Sequence, residues 1–332
     1  MRAAAFGVRL SSHAAWALAG AGVLATAVLA SAFPLATYTC SLALFGLPHV
    51  LAELGWVRHR YAARLHPRAA WLVVGLLGGI VLGRVGRAAG FGSASGWAPV
   101  ELGLVLLLAL GALGVRDAAS RARGGAGVLV VATALGVGLV RAPATTLLVA
   151  AMLHNWTPVG LLAEGLEGAA RRRAMLACVL VFGVVPALLA SGALPHLVAR
   201  AGLSAPDAGP LTTGGLSAQL GAYLPAAWRG APWARDVFAA LAYAQCAHYA
   251  AVLHVLPRIA ESQGAPAWGG AGRRGLGAAL AACGALTVAF VVDFAGARAW
   301  YGVAAALHAW LEVPALLVAL GGRPRPEGAP AA

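Results

Sequence analysis

Lysine is absent from this chain of 332 residues, so all 24 basic side chains are arginine. Charge of either sign is scarce: 11% of residues are charged, against roughly a quarter in an ordinary soluble domain. With 61% hydrophobic residues, that scarcity excludes a single water-facing globule, because lipid must cover the apolar surplus. Cysteine is sparse as well. Cys40, Cys178, Cys246 and Cys283 lie in apolar segments and form no CxxC, which argues against a disulfide framework or a zinc ribbon. No basic, aromatic-studded stretch is long enough for a nucleic-acid groove, so the net charge of +13 is not expected to serve nucleic acid.

Long apolar runs are what the chain has in abundance. Segments of about 17–25 residues, the length that crosses a bilayer, fall at 14–33, 37–56, 69–86, 98–115, 125–141, 143–163, 174–191, 234–256, 275–293 and 298–320. The first follows Arg2 and Arg9 and ends near Ala-Ser-Ala; an uncleaved helix is expected, with a cleaved signal peptide as the alternative. The arginines test this segmentation. With a cytoplasmic N-terminus, 17 of the 24 fall in alternate, inner loops, and Arg84, Arg87, Arg141, Arg200, Arg229, Arg235 and Arg298 remain outside. Residues 1–332 are therefore expected to form one all-α, polytopic transmembrane domain of about ten helices, both termini cytoplasmic, in a bacterial cytoplasmic membrane. One outer connection, 192–233, is long and rich in Gly, Pro, Ser and Thr; it reads as a loop or as a short helix capping the bundle.

Ionisable groups inside apolar spans are costly, and by default they mark a functional site. Here they share a depth. His49 and Glu53 lie in the second segment (GLPHVLAELGW), His154 and Asn155 in the sixth (AMLHNWTPVG), His248 and His254 in the eighth, and His308 and Glu312 in the tenth (AALHAWLEVP). All four segments run from outside to inside. His49, His154, His248 and His308 lie some ten to fourteen residues in, roughly 15–21 Å deep in a ~30 Å core. Four imidazoles at one level predict a metal site, with iron expected ahead of zinc or copper. Glu53 and Glu312, each four residues beyond a histidine, are expected to orient ligands, move protons or hold a second ion. His254 follows His248 by six positions, about 240° around a straight helix, so it reads as an entrance or proton-path residue. Asn155, Gln245 and Tyr249 are expected neighbours of the site or of its entrance. Asn155, Trp156 and Thr157 before Pro158 read as a helix break. His13, His59, His66 and His196 read as ordinary interfacial or loop residues, and Asp293 with Arg298 as a surface pair.

Midplane histidines with a His-x3-acid step, carried by His49 with Glu53 and by His248, His254, His154 and His308, resemble the bacterial β-carotene dioxygenase (Brp/Blh) family. Where that family has aspartate after a His-Gly pair, this chain has Glu53 and Val50. The resemblance implies iron held by four histidines and oxygen-dependent cleavage of a carotenoid. The expected function is thus a metal-dependent, oxygenase-like enzyme using O2 on an apolar substrate that enters from the lipid bilayer. The alternatives are a haem protein with histidine axial ligands and a proton-coupled transporter using the His/Glu cluster.

Overall fold

Proline marks where several of the helices begin. Pro34, Pro67 and Pro143 each stand at a first helical position, where the fixed φ suits the helix and the missing N–H is not needed. The computed structural model describes residues 12–61, 67–114, 118–203, 215–263 and 273–320. Arg2, Arg9, Arg64, His66, Arg116, the middle of the long connection at 204–214, Arg323, Arg325 and the tail from Gly321 lie outside them.

Among the described residues 91% are helical and none is in a strand. Twelve helices follow one another: α1 (Ser12–Ala32), α2 (Pro34–Tyr61), α3 (Pro67–Ala88), α4 (Ala94–Gly114), α5 (Ala118–Arg141), α6 (Pro143–Gly165), α7 (Gly168–Ala190), α8 (Ala193–Arg200), α9 (Gly215–Tyr223), α10 (Ala234–Ser262), α11 (Arg273–Val292) and α12 (Phe294–Leu320). Six of these are long and apolar enough to cross a membrane: α2, α3, α6, α7, α10 and, within α11, Gly275–Val292. Trp71, Leu82, Val140 and Val292 leave more than 70% of their surface uncovered, which suits lipid and not water. Several helices outrun the apolar segments read from sequence. α2 continues to Tyr61, α5 starts at Ala118 and α10 runs to Ser262, because a helix persists into its polar flanks while hydropathy marks only the greasy part.

Burial sorts the helices. The apolar window of α10 is 67% buried and that of α2 is 56%, whereas that of α11 is 6%, so α2 and α10 are central and α11 is peripheral. α12 packs against α2, and Gly46 allows the close approach: a Cβ there would sit 3.2 Å from the Tyr301 ring. α3, α4 and α5 close one flank through Leu77, Ile80, Leu102, Leu108 and Val128, all buried with Trp310. α1 and α7 close another, where Ala30 and Leu189 meet Tyr243. The long connection contributes a cap. Leu216, Leu220 and Leu224 in and after α9 are buried against Leu35, Phe238 and Phe294.

Candidate metal centre

The backbone is irregular where the site helices carry their histidines. In α6 the residues His154–Trp156 form a 3₁₀ turn. Pro158 lacks the N–H that would bond the His154 carbonyl, and the Thr157 hydroxyl donates to it instead at 2.8 Å. Asn155 Nδ2 donates to Met152 O at 3.1 Å, and Trp156 Nε1 to Phe182 O on α7 at 2.5 Å. In α10, His248 lies in the last turn of the regular α-helix, just before a π turn, Ala251–Val255, a feature often found at functional sites. Pro48 precedes His49 in α2, and Pro314 follows Glu312 in α12.

These four helices bring His49, Glu53, His154, His248 and His308 together. One ligand atom from each lies within 4.8 Å of all the others. Except for His154, which is partly covered, all are buried. His308 Nε2 stands 3.1 Å from His49 Nε2 and 3.0 Å from His154 Nε2. Two ligands about 2.1 Å from one ion, at angles between octahedral and tetrahedral, are about 3.0–3.4 Å apart.

Hydrogen bonding tests whether a cation fits. His49 Nδ1 lies 3.0 Å from Phe45 O, and His308 Nδ1 lies 3.3 Å from Ala304 O; a carbonyl only accepts, so each Nδ1 carries the proton and donates. In the neutral rings both Nε2 atoms then present lone pairs to one another across 3.1 Å. Facing lone pairs repel, and a bound cation resolves the repulsion. Around them, Glu53 and Glu312 are 1% exposed, and their carboxylate oxygens lack hydrogen-bond partners, as do both ring nitrogens of His248. Glu312 Oε2 is 2.6 Å from His154 Nδ1 and Glu53 Oε2 is 3.5 Å from His248 Nε2; both are ion-pair contacts without hydrogen-bond alignment. Two buried carboxylates beside four imidazoles would balance a divalent ion where water cannot. The residues present therefore fit a metal.

The carboxylates serve histidines of neighbouring helices rather than those four residues before them, with Glu53 of α2 facing His248 of α10 and Glu312 of α12 facing His154 of α6. Tyr249 lies against the His49 ring at a centroid distance of 4.1 Å and is paired with Tyr301. Gln245 Nε2 donates to Ser41 Oγ at 2.8 Å. A cavity of about 800 Å³ reaches all four histidines and is also lined by Asn155, Gln245 and Tyr249. His254 is not brought in: it is exposed on α10, outside the cluster and the cavity lining, so the entrance role read from sequence has no support. Its six-residue offset from His248 turns it away, and the π turn does not restore it. Asp293 and Arg298 do not pair either. Asp293 Oδ1 accepts from Gly296 N at 3.0 Å, and Arg298 donates to Gln219 Oε1 at 2.7 Å. Asp293, just before α12, caps the first turn of that helix instead, and Arg298 lies within the helix.

Sequence reading missed Glu101. Arg84 grips it with Nε–Oε2 at 2.8 Å and Nη2–Oε1 at 2.6 Å, and Trp310 Nε1 donates to Oε1 at 2.8 Å. A lone carboxylate within the run 98–115 was the available signal. Compared with known proteins, the chain matches no family model, no curated protein and no solved structure.

Proposed function

We propose that this chain is an integral membrane metalloenzyme, iron-dependent and oxygenase-like, acting on an apolar, lipid-soluble substrate of the carotenoid kind. The observation that carries the reading is the convergence of imidazoles from α2, α6, α10 and α12, with His49 and His308 locked so that their lone pairs face each other at the end of a cavity. His49, His154, His248 and His308 would hold the metal, and a bound iron would supply the activation of O2. Glu312, 2.6 Å from His154 Nδ1, is placed to take up the carboxylate–histidine arrangement that fixes tautomer and raises ligand basicity once a metal sits on the ring's other nitrogen. Glu53, buried beside His248, is placed to take or return a proton. Leu42, Leu147 and Phe238 give the cavity apolar lining between its mouth and the histidines.

The chain would cross the bacterial cytoplasmic membrane ten times, with both termini inside. Six helices that meet the length and hydropathy requirement, together with the alternation of arginine-rich loops, support that topology. A haem between the histidines is disfavoured, because nitrogens 3.0–3.1 Å apart leave no room for a porphyrin. The test is turnover. Iron-loaded protein in nanodiscs, given a carotenoid under air, should yield an aldehyde product that is absent under argon and absent in His308→Ala. No product from iron-loaded wild type under air would reject the carotenoid oxygenase and leave only the metal site.

A further inference from the structure

The cavity that ends at the histidines does not begin in apolar surface. At its other end it is lined by Arg84 and Arg87 of α3, Arg229 before α10 and Arg298 of α12. Among the described residues no aspartate or glutamate lines it; Glu53 and Glu312 contact the histidines without facing the cavity, and Glu101 sits behind Arg84. Among the described residues one carboxylate, Glu101, stands beside the four guanidinium groups: Arg84 grips it and Arg87 lies within its attraction. Arg298 is held by the neutral Gln219, and Arg229 by the carbonyls of Leu224 and Gly221. Arg87 makes no hydrogen bond among the described residues. All four are among the seven arginines that the alternation of loops left on the outer side. Four of the seven exceptions to the orientation pattern thus gather on one chamber.

A hydrocarbon substrate gives no reason for such a ring of cations, whose partial desolvation is costly unless an anion repays it. We propose that the substrate is an amphipathic anion whose carboxylate or phosphate headgroup is held by Arg87, Arg298, Arg84 and Arg229, with its apolar chain running down to the histidines. Arg298 and His308 are ten residues apart on α12, so headgroup and reacting atom are separated by about 15 Å. Arginine suits the task because its planar fork binds carboxylate and phosphate in paired hydrogen bonds. The Tyr38–Tyr223 hydroxyl pair, also in the lining, adds donors beside Arg298. This inference rests on the histidine cluster being the reacting end; it keeps the long apolar chain of the substrate proposed above but replaces a neutral carotenoid by a lipid that carries an acidic end group.

Retention of radiolabelled dodecanoate, dodecyl phosphate and dodecanol on protein-loaded phosphatidylcholine nanodiscs, corrected for empty discs, tests it. At least one anion should bind saturably and at least tenfold more tightly than dodecanol, and the tighter of the two identifies the headgroup. Arg87→Gln and Arg298→Gln should each weaken anion binding about tenfold and leave dodecanol unchanged, while His308→Ala retains the anion. Equal binding of dodecanol, or anion binding untouched by both arginine substitutions, would overturn the proposal. Anion binding lost in His308→Ala but kept in Arg87→Gln would place the headgroup on the metal, removing the arginine site while leaving the metal centre intact.

Discussion

The two ends of the central helices use arginine in opposite ways. Beyond the histidines, Arg60 at the end of α2 is saturated: Nε and Nη2 grip Glu164 of α6 at 2.9 and 3.1 Å, and Nη1 donates to Gln263 after α10 at 2.9 Å. Gln263 in turn donates to Gly165 O at 2.9 Å, so three of the four site helices are tied together there. At the other end, Arg84, Arg87, Arg229 and Arg298 line the cavity, and among the described residues Glu101, gripped by Arg84, is the one carboxylate beside them. Arg60 closes a scaffold, whereas the upper arginines line the chamber proposed to hold an anionic headgroup. The histidine layer lies between these ends, held rigidly from below and reached through the cavity from above.

Removing the support of a ligand should break this picture most. Glu312→Gln keeps the shape of the side chain but not its charge against His154, and metal affinity should fall about 10–100-fold with the unfolding midpoint nearly unchanged. Titration with a competing chelator measures this, and unaltered affinity would make Glu312 a bystander. Next comes the closed end. Arg60→Ala removes the two-pronged grip on the buried Glu164 and should lower stability by about 1 kcal/mol in detergent unfolding while the folded protein keeps its metal. Loss of metal without loss of stability would contradict the division into scaffold and site. The smallest effect is expected at His254. Because it is exposed and outside the cluster, His254→Ala should change stability by no more than about 0.5 kcal/mol and leave metal content alone.

The depth of the site was legible in the sequence because parallel helices with a constant rise place residues at equal counts on one level. His49, His154, His248 and His308 meet for that reason. Which carboxylate faces which histidine was not legible. A step of four residues keeps Glu53 on the face of His49, but it also moves it one turn deeper, where the neighbouring α10 brings His248 closer. That choice depends on how the helices rotate against each other, as at Gly46 and Tyr301, and no spacing within one helix encodes it. The Arg84–Glu101 pair and the arginine-lined chamber were hidden for a similar reason. Their members come from α3, α4, α12 and the connection before α10, and only the packed bundle sets them side by side.

The most direct test is elemental analysis of detergent-purified protein, with wild type measured beside His154→Ala and His308→Ala. Wild type should carry a transition metal in stoichiometric amount, iron by the reading proposed, and both variants should lose it while remaining folded. Metal-free wild type after growth in metal-supplemented medium, or full metal content in both variants, would contradict a metal held by the four histidines.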